Sequence, residues 1–345
     1  LVKSLCNNGI EVIGYGNSLD RKNASLQSYR HINGNIQDYI SLYDICELYN
    51  VDSVISDNCD YSLLAAERLS SMLNLPSTGV RSAEISNNKL RQRELAQKSN
   101  INQPQYCACN SIVDVVRFIE ASESDVLIKP LDSRGSMGIS YLTRSSTHED
   151  IARAICGCLS ASPSGKFLVE EYIHGELYTI DGFMANNELY LVGLASRRRS
   201  GRGETVTRQI IYKSSFSSSF LNISYNFLSA IKDAFGYSSG HIHCEALLDS
   251  SGKFCLVECT NRGAGVFTSS SINPYISEID LNLEYLMLKV KTQLSSNLKE
   301  SRHIIANKND ASLLFPSLGE EGEILERFDV ESILAIDLVL DVQLF

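Results

Sequence analysis

Two acidic residues interrupt a predicted pair of apolar strands in the second half of the chain. The sequence predicts strands at 241–248 and 253–260, joined by a tight polar turn. In a simple register across that turn Glu245 faces Leu256, so Glu245 and Glu258 are diagonal neighbours on one face, roughly 7 Å apart at the backbone. Two carboxylates that close repel each other unless a cation lies between them. Mg²⁺ is usually held by one or two carboxylates together with phosphate oxygens, so the pair predicts a Mg²⁺ site beside a nucleotide.

A polar run ends the second of these strands. It consists of Thr260, Asn261 and Arg262. An arginine a few residues past a metal-binding carboxylate can place a planar cation against a phosphoryl group in transfer. The alternative is a buried ion pair between Arg262 and one of the two glutamates. On the first strand, His243 either orients Glu258 or packs in the core.

A lysine and a loop of small residues lie between two further predicted strands, within 126–139. The loop contains Gly135, Ser136 and Gly138. Small residues let backbone N–H groups curl around phosphate oxygens, and Lys129, just before the loop, adds a compact positive charge to the same anion. No Gly-Lys-Ser/Thr opens a helix after the loop, so it is not a Walker A loop. The alternative is an ordinary hairpin with a surface lysine.

Glutamates also interrupt the strand predicted from residue 167. They are Glu170, Glu171 and Glu176, and Gly175 bends the strand between them. The backbone of an exposed strand can hydrogen-bond the edge of an adenine, and a carboxylate a few residues later can hold ribose hydroxyls. The alternative is a solvated strand edge.

The elements around these residues alternate between helices and strands. In the first 80 residues the sequence predicts a helix up to Asn8, a strand at Glu11–Tyr15, a helix at 36–49, a strand at Ser53–Ser56 and a helix at 62–73. Such alternation is typical of a parallel sheet flanked by helices. The strand and glycine-rich turn that usually open such a unit are absent, so the N-terminal end is expected to be incomplete. The sequence ends at Leu344-Phe345 in an apolar strand pattern, so the C-terminal end is expected to be incomplete as well.

The rest of the chain is predicted to carry further helices and strands, and one basic loop. Helices are expected at 87–99, 111–121, 147–160, 220–235 and 278–295, strands at 125–129 and 139–143, and a strand-rich tail at 300–345. Lys89 lies at the start of the first of these helices, where it is either a phosphate ligand or a solvated charge. The stretch Ser196–Ser219 is rich in arginine, glycine and serine and is predicted to be a mobile loop.

Composition excludes several classes of protein. The chain has 345 residues, 43% of them hydrophobic, and a net charge of −10, so a broad basic surface for nucleic acid or anionic lipid is not expected. No apolar run is long enough to span a membrane. The ten cysteines are scattered through a long chain, which favours reduced thiols in a cytoplasmic protein over a disulfide scaffold.

The order of these elements resembles the ATP-grasp superfamily, and within it the carboxylate-amine ligases and the carbamoyl-phosphate-synthase-like large chain. In order, there is a lysine at a helix start, a lysine before a glycine-serine loop, a Glu-Glu-Tyr-Ile strand, and strands with His-x-Glu and Glu-x-Thr-Asn-Arg. The resemblance covers roughly residues 45–290. It implies an α/β and α+β fold, in which a Rossmann-like pre-ATP-grasp domain precedes a two-subdomain ATP-grasp fold. The implied boundaries are 1–85 for the first domain, 86–166 and 167–295 for the two subdomains, and 296–345 for a strand-rich extension.

The resemblance also implies a role for each candidate residue. The implied ATP contacts are Lys89 and Lys129 at the phosphates, Gly135, Ser136 and Gly138 in a loop closing over the nucleotide, Glu170, Glu171 and Ile173 along the adenine edge, and Glu176 at the ribose. The implied metal ligands are Glu245, Glu258 and Thr260, and Arg262 matches the arginine that stabilises the transferring phosphoryl group. The sequence departs from the family pattern where Gly175 and Glu176 are adjacent and where Thr260 replaces the usual asparagine.

The implied activity is ATP-dependent C–N bond formation. ATP phosphorylates a carboxylate to an acyl phosphate, an amine attacks it, and ADP and phosphate leave. The implied cofactors are ATP and Mg²⁺, with Mn²⁺ as a substitute. The implied partners are small molecules, a carboxylate (an amino acid is expected) and an amine, without nucleic acid or membrane, and a homodimer is allowed. The segments 263–265 and 269–271 are expected to receive the acid, and the loop from Arg197 to Lys213 is expected to close over the phosphates.

Two other functions are compatible with the same residues. One is a bicarbonate-activating enzyme of the carboxylase or carbamoyl-phosphate-synthase type, which needs a tighter and more basic pocket. The other is a nucleotide-binding module without turnover.

Overall fold

Three β-sheets and the helices that cover them make up the fold. The computed structural model describes residues 2–17, 25–56, 58–199, 207–290, 298 and 301–315. The helices are α1 Val2–Asn7, α2 Tyr39–Leu48, α3 Asp60–Met72, α4 Val80–Ser86, α5 Lys89–Lys98, α6 Ile112–Ala121, α7 His148–Ser160, α8 Ser218–Phe235, α9 Asn273–Ser277 and α10 Leu281–Lys289, with a π-helical turn at Thr268–Ile272. The strands are β1 Val12–Gly16, β2 Tyr29–Asn33, β3 Tyr106–Cys109, β4 Val126–Pro130, β5 Ser140–Leu142, β6 Phe167–Glu171, β7 Glu176–Ala185, β8 Glu188–Arg199, β9 Thr207–Tyr212, β10 Gly240–Leu248, β11 Phe254–Thr260 and β12 Ala311–Leu314.

The N-terminal residues form a small parallel sheet, as their alternating pattern predicts. β1 and β2 pair in parallel. The strand predicted at Ser53–Ser56 is wrong, because this segment pairs with no strand among the described residues. The segment makes a tertiary contact instead, in which the Tyr285 hydroxyl donates a hydrogen bond to the carbonyl of Ser56 at 3.1 Å.

A buried ion pair connects this N-terminal part to α10. Lys289 on α10 donates to the Glu67 carboxylate on α3 at 2.6 Å, and both side chains are almost fully buried. The backbone N–H groups of Thr78 and Gly79 donate to the other oxygen of Glu67. Burial raises the pKa of Glu67, but Lys289 and these hydrogen bonds outweigh it and lower that pKa below its ordinary value. The carboxylate therefore stays charged, and it orders the turn before α4.

The second sheet is antiparallel, in the order β3-β6-β4-β5. α6 and α7 cover one face, and their apolar side chains pack on those of β4 and β6. Both helices begin with a capping box, at Ser111 and Thr147. In each box the side chain of the first residue accepts a hydrogen bond from the backbone N–H of an aspartate three residues later, and that aspartate accepts one from the backbone N–H of the first residue. The predicted helices at 111–121 and 147–160 are confirmed within one residue.

The third sheet is antiparallel and has six strands, in the order β11-β10-β7-β8-β9-β12. Its central strand β7 is buried on both faces, which explains a nearly continuous apolar run where a half-exposed strand would alternate. α8 and Ala96 of α5 pack on one face. On the opposite face of β10, His241, His243, Glu245 and Leu247 share one side because side chains alternate along a strand.

The prediction that the basic segment Ser196–Ser219 is a loop is wrong for residues 196–199, 207–212 and 218–219, whereas residues 213–217 do form a turn between β9 and α8. β8 runs on to Arg199, β9 begins at Thr207, and α8 begins at Ser218. Arg197 pairs with Ile210 across the two strands, within the sheet. Ladder hydrogen bonds and burial of Ile210 outweigh the local signal of glycine and serine. Residues 200–206, including Arg202, lie outside the described residues.

The C-terminal part is only partly described. The helix predicted at 278–295 begins at Leu281, and its described part ends at Lys289. In the predicted tail at 300–345, β12 is a strand, and residues 316–345 lie outside the described residues. The described residues up to Leu314 belong to one compact unit, and the predicted domain boundaries remain predictions. None of the helices in the described residues has the length and apolar character needed to cross a membrane.

Candidate active site

The acidic hairpin has a different register from the predicted one. Glu245 lies directly opposite Glu258, and Ala246 lies opposite Leu256, so Val257 is an extra residue on β11. A β-bulge of this kind bends the strand and changes which side chains face which side. The prediction that both glutamates share one face is confirmed, but their diagonal arrangement is wrong, because the bulge moves Glu258 into the facing position.

A cluster of charged side chains holds Glu245. Arg197 on β8 donates to its carboxylate, and the Nε2 atom of His243 lies 3.8 Å from the same oxygen. Burial raises the pKa of Glu245, but Arg197 and His243 outweigh it and move that pKa well below its ordinary value. The Nδ1 atom of His243 contacts the buried Asp181 carboxylate at 2.7 Å. Burial lowers the pKa of His243, but Asp181 and Glu245 raise it to about 9. Glu245 is therefore a fixed, ionised carboxylate.

Glu258 contacts a different cation. The Lys89 ammonium lies 3.3 Å from its carboxylate and also donates to the carbonyl of Ser133 at 2.8 Å. Lys89 is the first residue of α5, whose cap is Asn88. The capped start of α5 therefore aims Lys89 between Glu258 and the small-residue loop, and a solvated helix charge is excluded.

A second buried cluster lies beside the first. Glu170 is fully buried and accepts from Arg93 of α5 at 2.7 Å and from Lys129 of β4 at 2.5 Å. Burial raises the pKa of Glu170, but the two cations outweigh it and lower that pKa to about 2. Lys129 is therefore not a surface lysine, and Glu170 is not part of a solvated strand edge.

The small-residue loop between β4 and β5 has two glycines with positive φ. Gly135 has φ +59° and open space where a Cβ would lie, whereas Gly138 has φ +72° and lies against α7. A Cβ on Gly138 would come within 2.6 Å of the Cβ of Ala161 and 3.0 Å of Pro130. Gly138 therefore anchors the loop by close packing, while Gly135 presents its backbone to the cleft.

Gly138→Ala and Gly135→Ala are expected to destabilise the protein unequally. Both introduce the strain of a left-handed backbone, about 1–2 kcal/mol. Gly138→Ala adds overpacking of about 1–3 kcal/mol against Ala161 and Pro130. Urea unfolding of the two variants measures the difference. Equal losses would show that the packing of Gly138 against α7 is not what holds the loop.

Arg262 forms a bidentate ion pair with Asp60 instead of with one of the two glutamates. Its Nε and Nη2 atoms donate to the two oxygens of Asp60, at 2.6 and 2.8 Å, and Nη1 donates to the carbonyl of Gly263. Asp60 is the first residue of α3. The alternative of an ion pair with a glutamate is therefore wrong. The side-chain amide of Asn261 donates hydrogen bonds to the carbonyls of Ser239 and His241.

A cavity of about 140 Å³ joins the two clusters. The predicted site residues that line it are Lys89, Lys129, Gly135, Ser136, Glu170, Glu171, Ile173, Glu245 and Glu258. Gly138, Glu176, Thr260 and Arg262 are not among its lining residues. Glu176 instead accepts from the Tyr178 hydroxyl at 2.8 Å, and Thr260 lies opposite His243 on the hairpin.

Further lining residues were not assigned to the site from the sequence. Among them are Leu127, Met137, Ile139, Leu177, Leu247, Val257 and Arg134. Strand alternation could have found Leu247, which is two residues from Glu245. No local signal could have found Val257, because the bulge brings it to the same cavity as its neighbour Glu258.

The residues present fit Mg²⁺ bound beside a nucleotide. Glu245 and Glu258 supply two facing carboxylates, the ligand type that Mg²⁺ prefers. The buried hydroxyl of Thr260, two residues from Glu258, has no hydrogen-bond partner among the described residues. A set of three or more His, Cys, Asp or Glu side chains placed to hold a metal is not found among those residues. The two carboxylates therefore need the oxygens of a ligand to complete a coordination shell.

A family model identifies the middle of the chain. The model of the ATP-grasp domain matches residues 122–270. The chain contains an ATP-grasp domain. The match includes β4 with Lys129, β6, the acidic hairpin and Arg262, whereas Lys89 precedes it. It confirms the resemblance and the fold predicted from the sequence.

Solved structures share the fold of this chain at low sequence identity. The L-amino acid ligase from Bacillus licheniformis is 15% identical with a TM-score of 0.75, over 90% of this chain and 75% of that one. N5-carboxyaminoimidazole synthetase from Staphylococcus aureus, complexed with ADP, is 13% identical with a TM-score of 0.69, over 85% and 74%. The biotin carboxylase domain of 2-oxoglutarate carboxylase from Hydrogenobacter thermophilus, with MgADP, ADP and bicarbonate, is 13% identical with a TM-score of 0.70, over 86% and 67%. By sequence, no curated protein matches this chain.

Proposed function

We propose that this protein is an ATP-dependent ligase that activates a carboxylate by phosphorylation and joins it to an amine. One observation carries the proposal. Glu245 and Glu258 face each other on the wall of a cavity that also contains Lys89 and Lys129. Paired carboxylates beside paired lysines suit a metal-bound polyphosphate, because the carboxylates hold the metal and the lysines hold the anion.

ATP and Mg²⁺ are the cofactors in this proposal. Glu245 and Glu258 would hold Mg²⁺, which supplies charge neutralisation between the phosphates. Lys89 and the backbone around Gly135 would bind phosphate oxygens, since both line the cavity and Lys89 donates to the carbonyl of Ser133 in the same loop. Ile173, also on the cavity wall, would lie along the base.

The ion pairs at the site suit a nucleotide that arrives with its metal. Lys89 contacts Glu258, and Arg197 contacts Glu245. A metal on the two carboxylates would compete for their charge and release both cations toward phosphate oxygens.

The chemistry proceeds in two balanced steps. An oxygen of the substrate carboxylate forms a bond to the γ-phosphorus of ATP while the bond from that phosphorus to the ADP oxygen breaks, which gives an acyl phosphate and ADP. The amine nitrogen then attacks the acyl carbon, phosphate leaves, and the nitrogen loses a proton. Positioning and electrostatic stabilisation are the main tasks of such an enzyme.

An amino acid is the acid substrate that we favour. The segments 263–265 and 269–271, predicted to receive the acid, lie together, because the Ser269 hydroxyl donates to the carbonyl of Ala264 at 2.9 Å. Arg262 precedes the first of them and would meet the carboxylate or its phosphoryl group. The similarity to an L-amino acid ligase fold supports this choice over other acids.

We place the reaction in the cytoplasm. All ten cysteines are free thiols, and most are buried in the core rather than placed for disulfide exchange. This agrees with a reducing compartment.

Phosphate release tests the proposal directly. Purified protein with ATP, Mg²⁺ and pooled amino acids should release phosphate and form ADP only when a carboxylate is present. Glu258→Gln should abolish this release, because it removes one of the two metal carboxylates. Release driven by bicarbonate alone would favour a bicarbonate-activating enzyme. Binding of MgADP without release under any condition would contradict the proposal in favour of a nucleotide-binding module.

A further inference from the structure

β11 is the edge strand of the six-stranded sheet, and the start of α5 covers its open edge. An edge strand leaves backbone N–H and C=O groups without a strand partner. Here Arg93 donates to the carbonyl of Val257 at 2.7 Å, and the side-chain oxygen of Gln92 accepts from the N–H of Cys259 at 3.0 Å. These two α5 side chains, which we term the edge clamp, bond the backbone on either side of Glu258.

The edge clamp coincides with the bulge. Before the bulge, the edge is bonded at Leu256, whose N–H donates to the carbonyl of Asn102 at 2.8 Å. In a regular strand every second residue directs its backbone N–H and C=O groups toward the open edge. Glu258 would then be the next such residue after Leu256. The clamp bonds Val257 and Cys259 instead. The edge contacts therefore favour the bulged register of β11, in which Glu258 lies opposite Glu245.

The edge clamp is rigid. Both side chains are almost fully buried. Gln92 also donates to the carbonyls of Ile85 and Ser86, and Arg93 also donates to Glu170, which binds Lys129. The same helix begins with Lys89, which contacts Glu258 itself.

We propose that Gln92 and Arg93 are positioning residues, which set the metal-binding geometry of Glu258 by fixing the bulge of β11. The inference rests on the proposed function, because it concerns the metal of the same site. Neither side chain needs to touch ATP, metal or substrate. The effect is carried by the backbone, and the groups that orient metal ligands typically change metal affinity or activity by about 10- to 100-fold when removed.

Calorimetry of ADP binding, with excess Mg²⁺ and with EDTA, measures the effect. Gln92→Met keeps the side-chain volume and removes the hydrogen bonds. It is expected to reduce the Mg²⁺-dependent gain in ADP affinity by about 10-fold or more, with ADP affinity in EDTA changed by less than about twofold. Gln97→Met is the matched control, because Gln97 is exposed on the same helix and accepts a hydrogen bond from the Tyr106 hydroxyl, away from the strand edge. It should change neither affinity.

A second pair of variants guards against misfolding. Arg93→Lys keeps the charge beside Glu170 but cannot reproduce the guanidinium contacts to both Glu170 and Val257, so it should reduce the same Mg²⁺-dependent gain. Arg91→Lys, at an exposed site two residues earlier, should not. Amide hydrogen exchange without ligand gives an independent readout, and the N–H of Cys259 should exchange faster in Gln92→Met than in Gln97→Met.

The outcomes separate the two hypotheses. If wild-type protein shows no Mg²⁺-dependent gain in ADP affinity, the proposed function fails. If wild-type protein shows the gain and both Gln92→Met and Arg93→Lys retain it, the edge clamp has no positioning role. Equal loss of ADP affinity in Mg²⁺ and in EDTA also overturns the positioning role, because it marks a general structural defect.

Discussion

Arg262→Lys is expected to lower kcat by about 10³-fold or more while MgADP still binds, because arginines that stabilise a transferring phosphoryl group contribute about 10³- to 10⁵-fold to kcat. Lysine keeps the charge but loses the planar fork that holds two oxygens at once. In the structure the Nε and Nη2 atoms of Arg262 both donate to Asp60. Steady-state phosphate release and calorimetric MgADP titration measure the two effects.

Asp60→Asn is the control that separates chemistry from structure. The ion pair joins the start of α3 to the end of the acidic hairpin. The alternative hypothesis is that Arg262 has only this structural role. The Asp60→Asn side chain would still accept a hydrogen bond from Arg262 but would carry no charge, which weakens the tie and leaves the arginine present. If Arg262 acts on the phosphoryl group, the loss of kcat in Arg262→Lys should far exceed the loss in Asp60→Asn. Equal losses would assign the arginine a structural role.

The local part of the site could be predicted from the sequence. Lys129 before its small-residue loop, the glutamates of β6 and the capped start of α5 each depend on residues within about one element of each other, and their positions follow from strand and helix periodicity. The shared face of Glu245 and Glu258 is not fixed by the turn alone, because a one-residue change of register moves a side chain to the other face. Next to the turn Ala246 lies opposite Leu256, one residue away from the predicted register, and the bulge at Val257 brings Glu258 back to the face of Glu245.

The partners of these residues could not be predicted, because they come from distant parts of the chain. Arg262 pairs with Asp60, which is separated from it by 202 residues in the sequence. Arg93 donates to the carbonyl of Val257, at a separation of 164 residues. The bulge at Val257 has no signature in its apolar neighbours, since it depends on contacts that α5 makes with the strand edge. For the same reason the arginine-rich segment near Arg197 is predicted to be a loop, although pairing within the sheet makes residues 196–199 and 207–212 strands.

Glu170→Gln is expected to lower the free energy of unfolding by about 3–5 kcal/mol at neutral pH, the usual cost of breaking a buried ion pair by removing one partner. The carboxylate is fully buried between Arg93 and Lys129, and both cations would lose it together. Glu171→Gln is the matched control. Glu171 is the next residue on β6, is only half-buried, and accepts from the Ser124 hydroxyl at 3.1 Å, so its replacement should cost about 1 kcal/mol or less.

The pH dependence of the same variant identifies the ion cluster as the cause. The folded-state pKa of Glu170 is lowered to about 2 from an ordinary value of 4.5. A carboxylate with a lowered folded-state pKa contributes stability that is present above the unfolded-state pKa and is lost as the pH falls through the folded-state pKa. The difference in unfolding free energy between wild-type protein and Glu170→Gln should therefore be largest above pH 4.5 and shrink toward pH 2. Other buried carboxylates, such as Glu67, titrate equally in both proteins and cancel from the difference. Urea unfolding at a series of pH values measures it, and a difference that stays constant with pH would mean that lost packing, rather than lost charge, destabilises the variant.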